Sequence, residues 1–245
     1  MNFIDQLKNA SLKEQHLDWA NLSYYWEENE KLIKDSMRND KVVFMGDSIT
    51  EEWGRILPEF FQSPAFINRG IGGQTTPQML IRFKQDVINL NPHIVFILAG
   101  TNDIAGNTGP SNIDMIINNI FSMAELSMSH NIKTVLSSIL PVDSYPWADH
   151  IKDVPETIST INQELDLFSN RHDIIYLDYY SQMIGENRGL KKEITTDGVH
   201  LNKDGYEIMC EMVLGILKKE GSLQISPILL SIILVFVSIF LIEST

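Results

Sequence analysis

The chain has a single cysteine, Cys210, in 245 residues. That excludes an intrachain disulfide and a thiolate metal cluster, and the helical pattern of Ile208, Met209, Met212 and Val213 around Cys210 marks it as a small core residue. Cations are scarce too: 19 Lys and Arg stand against 32 Asp and Glu, a formal net charge of −13. Binding to a phosphate backbone needs a clustered basic face, and none is visible, so no nucleic-acid partner is expected. No His cluster or Asp/Glu cage suggests a metal, and no cofactor motif is complete. In Arg69-Gly70-Ile71-Gly72-Gly73-Gln74 the glycines lack both the Gly-Lys-Ser/Thr of a P-loop and the glycine spacing of a dinucleotide fingerprint. The N-terminus, Met1 to Lys8, has an early acid and no continuous apolar core. A secretory signal is therefore not expected, and the bulk of the chain is expected to stay in the cytosol.

What is present is a repeated pattern: a short apolar run that stops at small and polar residues. Val42-Val43-Phe44-Met45 runs into Gly46-Asp47-Ser48, Ala65-Phe66-Ile67-Asn68 into the glycine-rich turn, and Ile94-Val95-Phe96-Ile97-Leu98 into Ala99-Gly100-Thr101-Asn102-Asp103. Runs of this kind read as buried strands of a parallel sheet, whose C-terminal edge is where ligands and chemistry collect. Ser48 is the candidate nucleophile, although Asp47 and Ser48 also suit a helix N-cap. Asn102 is open to an Asx turn and Asp103 to capping the helix that follows.

Helical spacing predicts an amphipathic cover from Trp19 to Met37, and helices over 51–62, 78–90, 111–130, 156–170 and 203–219. Strands are expected over 132–139 and 174–177. Five β/α units with right-handed crossovers give an α/β domain, a flavodoxin-like three-layer sandwich around a five-stranded parallel sheet. The exit of the fourth strand, Leu140 to Trp147, is aromatic and proline-fixed, and suits either a pocket wall or a packed surface loop. Last comes Asp197-Gly198-Val199-His200. One local turn can hold both side chains on the same side, so that His200 reaches Ser48 through one ring nitrogen while Asp197 fixes its tautomer through the other.

Taken in order, Gly46-Asp47-Ser48, the turn ending at Gly73, Gly100-Thr101-Asn102-Asp103 and Asp197-Gly198-Val199-His200 resemble the blocks of the GDSL, or SGNH, hydrolase family. The resemblance covers Lys41 to about Lys219, and the wording around Gly70 and Gly100 is also similar to intracellular platelet-activating-factor acetylhydrolases. It implies Ser48 as nucleophile, His200 as general base and Asp197 as its orienting partner. It also implies an oxyanion hole made of the backbone N–H groups of Ser48 and Gly73 and the side-chain amide of Asn102. No Gly-x-Ser-x-Gly elbow encloses Ser48, which separates the chain from α/β-hydrolases. Ile49 replaces the Leu of the motif, and Gln74 stands where relatives often carry Asp, so contacts beside that loop are expected to differ.

Between Glu220 and Glu243 there is no charged residue. About 20 residues as helix span roughly the 30 Å of a bilayer core, so residues 223–242 read as a transmembrane tail, with Lys218 and Lys219 keeping the catalytic domain cytoplasmic. Residues 1–40 are then a helical cover and 41–219 the hydrolase domain. The expected function is a metal-independent serine esterase acting on a small acyl ester, short-chain or lysophospholipid-like. The same residues would serve a carbohydrate O-acetylesterase or a thioesterase, and the reading from another class is a non-catalytic membrane-tethered binding module.

Overall fold

The computed structural model describes residues 18–34 and 38–221. Its sheet has five strands, β1 (Val42–Gly46), β2 (Phe66–Gly70), β3 (Ile94–Leu98), β4 (Lys133–Ser137) and β5 (Ile175–Leu177), in the order β2-β1-β3-β4-β5. All four pairings are parallel. This is the flavodoxin-like order, whose strand reversal lies between β1 and β3. The register pairs Gly46 with both Gly70 and Leu98. The first three strands therefore end level, and the three loops that follow them leave from one edge.

Both faces of the sheet are covered, which is why its central strands are almost wholly apolar. Alternation assigns the side chains: Val43, Met45, Val95 and Ile97 join the core under α3 (Thr76–Asp86), α5 (Ile113–Ser129) and α6 (Val154–His172). Val42, Phe44, Ile94 and Phe96 join the core under α2 (Ser48–Ile56) and α8 (Lys203–Lys219). An aromatic stack fills that second layer, with Phe44 on Phe96 at 5.1 Å and Trp53 on Phe60 at 4.7 Å between ring centroids. Cys210 is fully buried within it, and burial pushes its thiol pKa well up. Two short helices, α4 (Thr101–Ile104) and α7 (Tyr179–Met183), follow β3 and β5.

Several boundaries differ from the sequence reading for local reasons. Among the described residues the N-terminal cover is helical over α1 (Trp26–Lys34). Ahead of it, the Asp18 carboxylate accepts from the backbone N–H of Leu22 (2.7 Å) and Ser23 (2.9 Å), and Asn21 sits at φ 54°, so this stretch folds as turns. The helix after Ser48 stops at Ile56, two residues before Pro58, and a 3₁₀ turn over Pro58–Gln62 completes the stretch. The strand expected over 132–139 is paired over Lys133–Ser137. Among the described residues no helix is long and apolar enough to cross a membrane. The apolar stretch 223–242 and the first 17 residues lie outside the described residues.

Candidate active site

Asp47 and Ser48 serve the helix and the site together. Asp47 is the N-cap of α2, its Oδ1 accepting from the Ile49 N–H at 3.0 Å, and Ser48 is the first helical residue. An N–H at that position has no intrahelical acceptor and sits at the positive end of the helix dipole. The capping reading and the nucleophile reading thus describe one turn.

The Ser48 hydroxyl lies 3.1 Å from His200 Nε2, and His200 Nδ1 lies 2.7 Å from Asp197 Oδ2. The other carboxylate oxygen, Oδ1, closes the turn by accepting the N–H groups of Val199 (2.9 Å) and His200 (2.7 Å). Burial pushes the Asp197 carboxyl up. The hydrogen bonds from the His200 N–H, the His200 ring and the Val199 N–H outweigh that and hold it below its ordinary value. Asp197 is therefore ionised at neutral pH and directs the Nδ1 hydrogen of His200 toward itself, leaving Nε2 free to accept from Ser48.

The glycine-rich turn presses on the first turn of α2. A Cβ on Gly70 would stand 2.1 Å from the Glu51 backbone nitrogen, and Gly73 has φ +74°, a conformation suited to glycine. The loop is tied from below and above: Tyr25 donates to the Gly70 carbonyl at 2.5 Å, and the Gly72 N–H donates to Glu51 Oε2 at 2.8 Å. Tyr24 donates to the other Glu51 oxygen at 2.6 Å.

Asn102 is buried at the start of α4, where its Nδ2 donates to the Gln74 carbonyl (3.1 Å) and to Asp47 Oδ2 (3.3 Å). Asn107 Nδ2 in turn donates to Asn102 Oδ1 (2.9 Å) and to the Gly73 carbonyl (3.2 Å). Asn102 and Gly73, from two different strand ends, are thereby linked through one amide. Asp103 does not cap the helix that follows it. Its carboxylate accepts from the N–H and hydroxyl of Thr76, at the start of α3, 27 residues earlier. Asp47 and Asp103 both have pKa values pushed up to about 6, by burial in each case.

Arg82 belongs to no motif in the sequence and reads there as one charged residue of an amphipathic helix. Fully buried, it donates Nη2 to the carbonyls of Gly46 (3.0 Å) and Arg69 (2.9 Å) and pairs with Asp86 (2.9 Å). It clamps together the ends of β1 and β2, from which the Ser48 turn and the glycine turn depart. Gln74 accepts from Arg82 Nε at 2.6 Å. In the 140–147 loop Val142 and Tyr145 are buried, while Trp147 is exposed and lies 6.1 Å from the His200 ring. The other described histidines stand apart; His130 bonds the Leu126 carbonyl and His172 packs on Phe168. Among the described residues no three His, Cys, Asp or Glu side chains gather in a way that could hold a metal ion.

A doubly wound parallel sheet that collects a serine, a histidine and an aspartate at its C-terminal edge, without a nucleophile elbow, has the architecture of the SGNH type of hydrolase. The chain belongs to the GDSL-like lipase/acylhydrolase family, whose model matches residues 44–208. Among solved structures, a GDSL-like lipase from Bacteroides thetaiotaomicron is 44% identical, with a TM-score of 0.79 over 82% of this chain and 98% of that one. The isoamyl acetate-hydrolyzing esterase of Saccharomyces cerevisiae is 25% identical over 218 residues, 74% of this chain and 87% of that protein. A lipoprotein of Bacillus subtilis is 38% identical over 120 residues, which is 42% of this chain and about half (49%) of that protein's length.

Proposed function

We propose that the chain is a serine esterase that cleaves small acyl esters through an acyl-enzyme. The reading rests on one observation, the continuous chain of contacts from Ser48 Oγ through the His200 ring to Asp197. A serine hydroxyl is a poor nucleophile at neutral pH unless a base takes its proton as it attacks. His200 Nε2 takes that proton while Ser48 Oγ bonds the ester carbonyl carbon. The tetrahedral oxyanion is held by the N–H groups of Ser48 and Gly73 and by the Asn102 amide, which turns one of its two N–H bonds, to the Gln74 carbonyl or to Asp47 Oδ2, toward the developing charge. Collapse expels the alkoxide, which receives the proton from His200; water then repeats the sequence and frees the acid. Asp197 stabilises the imidazolium formed in each half.

The esterase of S. cerevisiae named above acts on an acetate ester, which favours short acyl groups here. The test is hydrolysis of p-nitrophenyl esters of increasing chain length by the full chain beside Ser48→Ala and His200→Ala. Each variant should lose about 10⁴-fold or more in kcat, and a fluorophosphonate should label only proteins that keep Ser48. Ester hydrolysis undiminished in Ser48→Ala would refute the reading. The stretch 223–242 would in addition tether the domain to a bilayer; recovery of the full chain in the soluble fraction without detergent would rule that out.

A further inference from the structure

We propose that the polar cleft beside the catalytic turn is the seat of the substrate's alcohol part, and that this alcohol is a neutral oligosaccharide carrying the ester. The inference rests on the esterase reading and deepens it. Proton delivery dictates where the alcohol must lie. His200 Nε2 hands its proton to the departing oxygen, so the alcohol sits against His200 whatever its identity.

Two chain segments beside that histidine, its own and the one carrying Trp147, line one cleft. Thr195, Thr196 and Gly198 line the cleft, and His200 follows two residues later. Asp143 lines it as well, and four residues on Trp147 stands against the His200 ring at 6.1 Å, tilted by 32°. A Cβ on Gly198 would lie 4.0 Å from Asp143 Oδ1, so the two segments meet at the cleft wall. The rest of the lining comes from the 184–193 segment, including Asn187 and Lys191. The cleft measures about 900 Å³, which is room for more than one sugar ring.

Its chemistry selects the ligand class. The Thr196 hydroxyl, the Asn187 amide and charges of both signs supply donors and acceptors in mixture, which suits a chain of hydroxyl groups. Three carboxylates (Asp143, Glu186, Glu193) outnumber the ammonium groups of Lys191 and Lys192, which disfavours a phosphate headgroup. Trp147, with 48% of its surface exposed, offers an aromatic face at the junction of cleft and His200, against which the C–H face of a pyranose can lie while its hydroxyl rim bonds outward. The small pocket between Asp47, Ile49, Ala99, Thr101 and Ile139 is about 10 Å³, room for a single water-sized group and no alkyl chain.

The test has two independent arms. Calorimetry of the Ser48→Ala protein with unsubstituted xylotriose or cellotriose measures the cleft without any turnover. Binding is expected, and adding Trp147→Ala or Asn187→Ala should weaken it by roughly tenfold, the loss of one good contact. In the kinetic arm, kcat/KM for mono-O-acetylated trisaccharide should exceed that for ethyl acetate, and Trp147→Ala should lower the ratio of the two by roughly tenfold, mainly through KM. Trp147 is exposed, so its replacement should not unfold the chain. The proposal is overturned if neither trisaccharide binds, if the ratio is unchanged in the variants, or if lysophosphatidylcholine is cleaved with the higher kcat/KM. Failure to hydrolyse ethyl acetate would instead count against the esterase reading, and the calorimetry would still decide the cleft.

Discussion

Asp47→Asn exchanges a carboxylate oxygen for an amide at the most buried acid of the catalytic edge. As a carboxylate Asp47 only accepts: Oδ1 takes the Ile49 N–H and Oδ2 takes Asn102 Nδ2. An asparagine that keeps the Ile49 bond must turn its own NH₂ toward the NH₂ of Asn102, donor against donor. The relief is rotation of the Asn102 amide, which gives up the bonds to the Gln74 carbonyl and from Asn107 and leaves no amide N–H that can turn to the oxyanion. Losing one such donor costs about 10² to 10³ in kcat, with KM little affected because the charge develops only in the transition state. Stability should move the other way. Burial pushes the Asp47 carboxyl from its ordinary 3.8 up to about 6, so holding it ionised at pH 7 costs the native state on the order of 3 kcal/mol. Asparagine is free of that cost, which offsets two broken neutral hydrogen bonds at about 1 kcal/mol each. Steady-state kinetics on p-nitrophenyl acetate beside scanning calorimetry at pH 7 should show kcat falling by two to three orders of magnitude at an unchanged or slightly higher Tm, orders set by the donor loss. Full kcat in the variant, or a Tm that collapses along with it, would refute the reasoning.

Three further outcomes are expected. Asn107→Ala unties Asn102 from the Gly73 carbonyl at an exposed site and should lower kcat by roughly tenfold with Tm unchanged; equal kcat would show that the two donors hold themselves. Arg82→Met leaves Asp86 buried without its guanidinium and frees the ends of β1 and β2, so urea denaturation should show a loss of about 3–5 kcal/mol, and a loss below 1 kcal/mol would contradict the clamp. In the wild type, Asp47 and Asp103 stay protonated when folded up to about pH 6 but ionise near 3.8 when unfolded. The folded state therefore binds more protons in that window, and the contribution of these two acids to stability should fall as pH rises from about 4 to 6; if Asp47→Asn leaves that slope unaltered, the assignment to Asp47 is wrong.

The parts of this fold that were legible are those where the backbone imposes a local demand. A central parallel strand is covered on both faces and must be apolar throughout, so β1 and β3 announced themselves. The final helix was equally plain, its Asn202 cap accepting from Gly205 and its lysines at the last turn. Ser48, Asp197 and His200 stand out as candidates through short spacings at a strand end and within a single turn, whereas the role of Gly73 comes from the family resemblance. What stayed hidden are side chains whose partners are backbone atoms far away in sequence. Arg82 looks like one more residue of an amphipathic helix until β1 and β2 bring the Gly46 and Arg69 carbonyls to it. In the sequence Asp103 is open to capping the helix that follows it, because capping patterns run forward along the chain. The fold instead brings the start of α3 to the end of β3, and the Thr76 N–H and hydroxyl reach Asp103 first. The same geometry explains why the N-terminal cover bears on the chemistry. Tyr25 and Asn29 look like the inner face of a helical cap, yet Tyr25 bonds the Gly70 carbonyl, while Asn29 accepts from Arg69 and donates to Asp86, the partner of Arg82. A change in that cover should therefore reach the glycine turn through hydrogen bonds before it reaches it through lost hydrophobic packing. Tyr25→Phe removes one hydroxyl and almost no apolar area, and is the substitution that separates the two routes: it should lower kcat several-fold while costing only about 1 kcal/mol of stability, whereas a purely packing role predicts no change in kcat at all.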